Sequence, residues 1–310
     1  MNRWLQRLVD RSNDNTIGYA ETPTEAVVFV KRKIGLAELQ LKVEDPASPE
    51  WRPKDIVPEK IRTGLLTKKP AKVVELGEVT AQLKPDRKAY IPFQGGCEIH
   101  PLGANHVGTG GMVVNYYEWK GWALVGWLKS FVSLLQRTGQ QPIVRQAILT
   151  NSHVANTDPL KPRNEVWINQ PYGGRVVGET ICSLPLGPFY DASLVRIDVD
   201  HNKEIIAVGA TSKPRAPKIG EKAEKYGRTT HHTQGRVLYT GVTVNVNYGD
   251  SGHVQLKNSV ILSRMSDRGD SGSVIVAESD RAPIALLFAG SSVATIATPL
   301  PEVLTALGAW

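Results

Sequence analysis

The sequence predicts a mainly β protein that carries a small N-terminal α/β appendage. From Gly95 onward, short apolar stretches alternate with Gly, Pro, Asn and Asp. That spacing is typical of closed β barrels, which leave few strand edges exposed. Residues 1–90 follow another pattern, so the barrels are predicted to begin after them. With 41% hydrophobic residues among 310, the chain can bury a full core.

The predicted appendage contains a short helix and two strands. The helix is predicted over Arg3 to Val9, and the strands over Ala26–Val30 and Val73–Val79. Between the strands, Val43 to Lys60 is rich in proline and charged residues, which indicates a loop. Two strands with helix or loop between them favour a small α/β unit.

The two predicted barrels span residues 91–213 and 214–310. A link near Ser212 to Ile219, which contains Pro214 and Pro217, joins them. The clearest strand patterns lie at Gly111–Tyr117, Ile143–Leu149, Glu165–Asn169, Arg175–Thr180 and Arg236–Val246.

Residues 119–141 are predicted to be a helical insertion in the first barrel. Apolar side chains recur near helical spacing over residues 119–135, and three of the chain's seven tryptophans lie there. Lysines and glycines interrupt this stretch too often for a membrane span, which needs about 20 apolar residues. Four alternatives stay open: a helix packed on the protein's own barrel, a flap over a cleft, a contact in a homo-oligomer, or a peripheral membrane contact through residues 119–135.

A Gly-Asp-Ser-Gly string at residues 269–272 indicates a nucleophilic serine. Glycine allows a sharp turn that brings backbone N–H groups close to a reacting carbonyl. The same string occurs at residues 249–252. Ser271 is favoured over Ser251 because apolar strands follow it, whereas an alternating strand with polar positions follows Ser251. The second copy fits a surface hairpin turn, since Gly and Asp are common turn residues.

Two further segments supply the partners that a nucleophilic serine requires. His153 follows a buried strand, and Asp191 stands at the entrance to an apolar strand. A histidine takes the proton of the serine, and a buried carboxylate holds the tautomer of the histidine. The order along the chain is His153, Asp191, Ser271.

These segments resemble the motifs of trypsin-like serine peptidases, which have the same His, Asp, Ser order. The resemblance is closest to the branch that includes the plant Narrow-leaf proteins and their bacterial relatives, and it spans roughly Gly95 to Trp310. It rests on a strand leading to the histidine, a hairpin, the nucleophile segment and two closing strands: Leu149–Val154, Lys225–Thr230 with Gly235–Val237, Ile261–Ser273, Leu286–Ser291 and Thr295–Leu300. His231-His232 in the hairpin and the insertion at residues 119–141 depart from the family pattern.

The resemblance implies a chymotrypsin-like fold of two six-stranded β barrels with a catalytic triad in the cleft. His153 and Asp191 would come from the first barrel, and Ser271 from the second. The implied activity is that of a serine endopeptidase, a hydrolase that cleaves protein or peptide substrates through an acyl-enzyme and needs no cofactor. The backbone N–H groups of Gly269 and Ser271 would form the oxyanion hole.

The resemblance also implies a pocket for the substrate side chain before the cut. Met265 would lie near its floor, and Phe288, Ala289 and Gly290 would line its wall. A methionine floor disfavours a basic side chain, because no carboxylate would compensate the buried charge. The alternative is that Met265 is simply a core residue.

Composition restricts the partners and the location. The formal net charge is +7, but the basic residues are scattered and lack interleaved aromatic residues, so nucleic acid is not an expected partner. Cys97 and Cys182 are too few for a disulfide scaffold, and no secretion signal is visible, so a cytoplasmic location is expected. Cys97 and His100 have ligand-like spacing without a four-ligand zinc set, and no metal is expected.

Two other classes of function compete with the peptidase. One is a non-catalytic binding scaffold that keeps the protease fold, since catalytic geometry can fail with every residue present. The other is a basic adaptor associated with nucleic acid or a membrane, for which the positive charge is the argument.

Overall fold

The computed structural model describes most of the chain after residue 91 and selected parts before it. The described residues are 5, 15–31, 33, 57, 59–63, 67–76, 80–81, 92–119, 122–123, 131–137, 139, 141–156, 158, 160, 166–169 and 175–310. Strands dominate these ranges, so the prediction of a mainly β protein is confirmed.

Short strands make up nearly all of the described N-terminal part. They are β1 (Thr16–Glu21), β2 (Ala26–Val30), β3 (Lys60–Arg62), β4 (Lys68–Glu75) and β5 (Thr80–Ala81). The predicted strand at Ala26–Val30 is therefore confirmed, while the one predicted at Val73–Val79 begins earlier, at Lys68. The predicted helix at Arg3–Val9 lies outside the described residues except for Leu5, as does most of the predicted loop at Val43–Lys60.

The first barrel is built on one sheet of eight strands. Its elements and their neighbours are β6 (Phe93–Gly95), β7 (Glu98–Pro101), β8 (Gly108–Thr109), β9 (Met112–Trp119), β10 (Trp122–Ala123), α1 (Phe131–Arg137), β11 (Ile143–Thr150), α2 (Ser152–Ala155), β12 (Trp167–Asn169), β13 (Val176–Leu184), β14 (Ala192–Arg196) and β15 (His201–Ile205). The pairing order is β9, β11, β14, β13, β12, β7, β8. β10 pairs with the other side of β9 and ends the sheet there, so the sheet curves as a half-barrel.

The second barrel is a closed ring of six strands, followed by the C-terminal helix. Its elements are β16 (Lys222–Gly227), β17 (His231–Asn247), β18 (His253–Ser263), β19 (Val274–Ala277), β20 (Pro283–Gly290), β21 (Ala294–Pro299) and α3 (Leu300–Leu307). The order is β16, β19, β20, β21, β18, β17, and a further pairing of β17 with β16 closes the ring. The half-barrel sheet and this ring confirm the predicted double-barrel fold.

The N-terminal strands extend the sheet of the second barrel. β1 pairs with β17 through Gly18 opposite Val244 and Tyr19 opposite Thr243. β2 pairs with β1 and lies parallel to β4, which in turn pairs with β3. Phe29 of β2 is buried in the same apolar cluster as Val244. The described part of the N-terminal segment is thus continuous with a barrel sheet.

The C-terminal helix α3 fills the space between the barrels. Leu300, Val303, Leu304 and Leu307 are buried on one face, as expected for apolar residues at helical spacing. They share one cluster with Met112, Tyr116, Leu149 and Leu194 of the first barrel and Val274 and Leu286 of the second. The helix therefore belongs to a core that both barrels build.

The segment at residues 119–141 contains both a strand and a helix among its described residues. β10 pairs with the end of β9, and α1 follows. Val132 and Leu135 of α1 are buried, and Tyr117 of β9 packs against them. This packing favours the alternative of a helix against the protein's own barrel; the flap, oligomer and membrane alternatives stay predictions. No described helix has the length and hydropathy needed to cross a membrane.

The close approach of β1 to β17 gives a test of how the N-terminal segment is attached. A Cβ atom on Gly18 would lie 2.0 Å from the carbonyl oxygen of Thr243, so Gly18→Ala must push the two strands apart. We expect a loss of about 1–3 kcal/mol in the free energy of unfolding, measured by urea denaturation. Gly187→Ala is the control, because the nearest atom to its added Cβ is 3.5 Å away. Equal stability of the two variants would contradict this attachment.

Candidate active site

Ser271 lies on a tight turn that immediately precedes β19. Gly269 and Gly272 on either side have φ angles of +99° and +94°, which only glycine adopts without strain. A Cβ atom on Gly272 would also lie 2.0 Å from the carbonyl oxygen of Thr109. Ser271 is fully buried, and its hydroxyl donates a hydrogen bond of 3.2 Å to the carbonyl of Phe288.

His153 and Asp191 come together because β11 and β14 are antiparallel neighbours. The end of β11, Thr150, pairs with Ser193 near the start of β14. His153 follows in α2, and Asp191 lies just before β14. The histidine Nδ1 is 2.5 Å from Oδ2 of Asp191, and the backbone N–H of His153 donates to Oδ1 at 3.0 Å.

This arrangement fixes the tautomer of His153. A carboxylate only accepts hydrogen bonds, so Nδ1 carries the proton and Nε2 is the free base position. Nε2 is buried, and no hydrogen-bond partner for it exists among the described residues. The His153–Asp191 pair therefore has the orientation that a general base requires.

Tyr248 is a member of this cluster that the sequence analysis did not identify. Its hydroxyl donates a 3.0 Å hydrogen bond to Oδ2 of Asp191. Its ring packs edge-on against the His153 ring, with 5.4 Å between centroids. The available signal was its position directly before the second Gly-Asp-Ser-Gly string, which forms a turn between β17 and β18 as expected.

Strand β8 lies next to residues 267–272, which we call the nucleophile turn after the predicted role of Ser271. The Thr109 N–H donates to the carbonyl of Ser271 at 2.8 Å, and the Thr109 hydroxyl donates to the carbonyl of Gly269 at 2.9 Å. A Cβ atom on Gly108 would meet both Val154, the neighbour of His153, and the carbonyl oxygen of Ser271. Gly108 therefore lies between the residue after His153 and the backbone of Ser271, while the joining of His153, Asp191 and Ser271 in one triad stays a prediction.

A buried ion pair holds the nucleophile turn from beneath. Lys225 Nζ of β16 is 3.2 Å from Oδ2 of Asp270, and both side chains are fully buried. The carboxylate also accepts hydrogen bonds from the backbone of Asp267, Thr229 and Thr230 and from the Thr230 hydroxyl. Desolvation by burial lowers the pKa of Lys225, and the charge of Asp270 opposes this effect.

The peptide groups around Gly269 are held by threonine hydroxyls. Thr229 donates to the carbonyl of Arg268 at 2.7 Å. Because a peptide group is planar and trans, the Gly269 N–H then points away from Thr229. This gives the Gly269 N–H a fixed direction, while its role and that of the Ser271 N–H in an oxyanion hole stay predictions.

The predicted pocket residues lie on two elements of the second barrel. Phe288, Ala289 and Gly290 end β20 and are buried. Met265 is 3% exposed and packs in the core of this barrel, so its part in a pocket floor stays a prediction. Next to it, the hydroxyls of Ser266 and Thr295 are 2.7 Å apart, a buried polar pair that the sequence analysis missed.

The edge of β20 at Ala289 and Gly290 is occupied by the chain itself. Ala289 pairs with Ala81, and Gly290 with Thr80, in antiparallel register. On the same β20 edge, Leu287 exchanges hydrogen bonds with the nucleophile turn. β5 therefore lies next to the nucleophile turn.

Other histidines near the site do not form a metal centre in the part of the chain that the structure describes. His100 Nδ1 and His106 Nε2 are buried without hydrogen-bond partners in that part. Burial lowers the pKa of both side chains. Electrostatic interaction with Arg228 lowers the pKa of His100 further, and interaction with His153 does the same for His106. In the hairpin, His231 hydrogen-bonds Tyr226 at 2.9 Å and His232 pairs with Glu224.

No protein-family model and no curated protein matches the chain. Similar solved structures include Thermobifida fusca protease A, with a TM-score of 0.48, 15% identity, and coverage of 70% of this chain and 96% of that chain. Nocardiopsis protease has a TM-score of 0.47 and 16% identity, and the match covers 70% of this chain and 96% of that chain. A third structure is a glutamic acid specific serine protease, described as using a novel histidine triad in substrate binding. Its TM-score is 0.45 and its identity 22%, and the match covers 70% of this chain and 98% of that chain.

The buried Lys225–Asp270 pair gives a test of what holds the nucleophile turn. Lys225→Met leaves the Asp270 carboxylate buried without a counter-charge, so we expect a loss of about 3–5 kcal/mol in the free energy of unfolding. Lys222→Met, on the exposed side of the same strand, is the control for loss of a lysine.

The double variant Lys225→Met/Asp270→Asn removes both charges and should recover part of that loss in the same urea titration. If Lys225→Met is as stable as Lys222→Met, or if the double variant recovers nothing, the pair does not hold the turn electrostatically.

Proposed function

We propose that this protein is a serine endopeptidase that hydrolyses peptide bonds through an acyl-enzyme intermediate. The observation that carries the proposal is the buried His153–Asp191 pair, whose Nδ1 and Oδ2 atoms are 2.5 Å apart. A serine hydroxyl is a weak nucleophile until a correctly oriented base removes its proton. We further propose a trypsin-like enzyme related to the Narrow-leaf branch.

In the proposed reaction, the Ser271 hydroxyl turns from the Phe288 carbonyl to Nε2 of His153. Nε2 takes the proton while Oγ attacks the peptide carbonyl, and Asp191 stabilises the imidazolium that forms. The backbone N–H groups of Gly269 and Ser271 would donate to the oxyanion. The proton then passes from Nε2 to the leaving amine as the carbon–nitrogen bond breaks.

Deacylation uses the same groups in reverse. A water molecule gives a proton to Nε2 and attacks the acyl carbonyl, and Ser271 recovers its proton as the carboxylate product leaves. The proposed steps use groups of this chain, the peptide substrate and water. The free thiols of Cys97 and Cys182 fit a reducing compartment, so we propose that the enzyme works in the cytoplasm.

A non-catalytic scaffold is the second candidate, and one observation favours it. The Ser271 hydroxyl hydrogen-bonds Phe288 O, and His153 Nε2 has no hydrogen-bond partner among the described residues. A chain that binds peptides without cutting them would keep the same barrels and the same buried pair. The two candidates differ in whether Ser271 reacts.

Labelling with a fluorophosphonate probe separates the candidates. We expect the folded wild-type protein to be labelled and to cleave a peptide library, and Ser271→Ala to lose both, with a fall of about a million-fold in kcat. Ser251→Ala is the matched control from the second Gly-Asp-Ser-Gly string and should keep both activities. Absence of labelling in folded wild-type protein would favour the scaffold, and retained cleavage by Ser271→Ala would show that another group is the nucleophile.

The uncharged residues near the proposed pocket give an expectation for specificity. Met265, Ser266 and Thr295 offer no carboxylate to a basic side chain, and burying an unpaired charge is costly. We expect peptides with Lys or Arg before the cut to have kcat/KM values about 100-fold lower than peptides with uncharged residues there. Ser266→Asp should narrow that difference, whereas Ser263→Asp on the end of β18 should not. Efficient cleavage after Lys or Arg by the wild type would contradict this pocket.

A further inference from the structure

The hydroxyl of Tyr248 links the two barrels at the centre of the candidate site. Asp191 belongs to the first barrel, whereas Tyr248 lies at the end of β17 in the second. Their 3.0 Å hydrogen bond therefore crosses the cleft. Both side chains are buried, at 1% exposure for Asp191 and 8% for Tyr248, so water competes little for this bond.

The Asp191 carboxylate is fixed by three donors that come from two directions. The N–H of His153 donates to Oδ1, while His153 Nδ1 and the Tyr248 hydroxyl donate to Oδ2. Rotation of the carboxylate would break bonds to both barrels at once. The Tyr248 ring also packs against the His153 ring, with an angle of 67° between the two ring planes, so it limits movement of the imidazole.

We infer that Tyr248 is a positioning residue for the His153–Asp191 pair, which holds the general base in place from the barrel that carries the nucleophile. The inference rests on the proposed function. It also explains the second Gly-Asp-Ser-Gly string: this string forms the turn between β17 and β18, and Tyr248 at its start accepts the N–H of Ser251 and donates its own to Gly252. The turn thereby fixes the backbone from which the tyrosine ring reaches Asp191.

The hydroxyl has an electrostatic effect that a packing role would lack. A donor on Oδ2 spreads part of the negative charge of Asp191, so its removal leaves more charge to stabilise a protonated His153. Burial and the nearby carboxylate raise the pKa of Tyr248 well above its ordinary value, so the phenol stays protonated and remains a donor across the working pH range. His106 is the other titratable group known to face His153, and burial and that neighbour lower its pKa.

The direct test is the titration of His153 by NMR in the Ser271→Ala protein, which requires no catalysis. Tyr248→Phe keeps the ring and removes the donor, and we expect the His153 midpoint to rise by about half a pH unit or more. Tyr239→Phe is the matched control, since Tyr239 packs against the same apolar cluster through Phe29. His106→Gln in each protein separates the titration of His106 from that of His153.

A second variant tests the same hydrogen bond if Tyr248→Phe fails to fold. Incorporation of 3,5-difluorotyrosine at position 248 makes the phenol a stronger donor and should move the His153 midpoint in the opposite direction, to lower pH. In the active enzyme, Tyr248→Phe should lower kcat about tenfold with little change in KM, which is the effect of losing about one hydrogen bond. It should also shift the acidic limb of the pH profile of kcat/KM to higher pH.

The outcomes distinguish this inference from the proposed function. An unchanged His153 midpoint in folded Tyr248→Phe, or equal shifts in Tyr248→Phe and Tyr239→Phe, would overturn the positioning role even if the wild type cleaves peptides. If the wild type is neither labelled nor active, the peptidase proposal fails. The positioning role would fail with it, although the His153 titration would still show whether the hydrogen bond forms.

Discussion

The buried carboxylate of Asp270 is the constraint around which the nucleophile turn is built. A buried charge is costly unless it is paired and hydrogen-bonded, and Asp270 meets this demand with Lys225 and with donors from two loops. Those donors come from the loop after β16 and from the segment before Ser271. Satisfying one charge therefore fixes the relative position of two loops, and the conformation of residues 267–272 follows.

The candidate site contains a second buried carboxylate that is satisfied in a different way. Among the described residues, no lysine or arginine forms an ion pair with Asp191, which accepts hydrogen bonds from His153 and Tyr248. Asp270 is thus paired with a buried lysine, whereas Asp191 is held by an imidazole and a phenol.

Local sequence patterns predicted the elements of the site better than its long-range partners. The run before His153 and the run after Asp191 predicted two strands, and the glycines around Ser271 predicted a tight turn, because these features depend on neighbouring residues. Tyr248 reaches Asp191 across 57 positions, and Lys225 is buried inside a strand, where a lysine is unusual. Such contacts depend on how strands pair, which no local pattern specifies.

The same limit applies to the N-terminal segment. Apolar runs indicated strands there, but nothing in them identified β17 as the partner of β1, since strand register is set by the partner as much as by the strand itself. The family resemblance likewise implied a six-stranded second barrel without showing that other strands continue its sheet.

The pairing of Thr80 and Ala81 with Gly290 and Ala289 has a consequence for any peptide that adds to this edge. Extended peptides commonly bind as an additional strand by pairing with free backbone groups at a strand edge. Here the protein's own residues 80–81 already pair with those groups of β20. An incoming peptide must therefore compete intramolecularly, and its apparent affinity is reduced by the fraction of molecules in which the internal strand is docked. Any change that undocks residues 80–81 would then raise that apparent affinity without altering the residues of the candidate site.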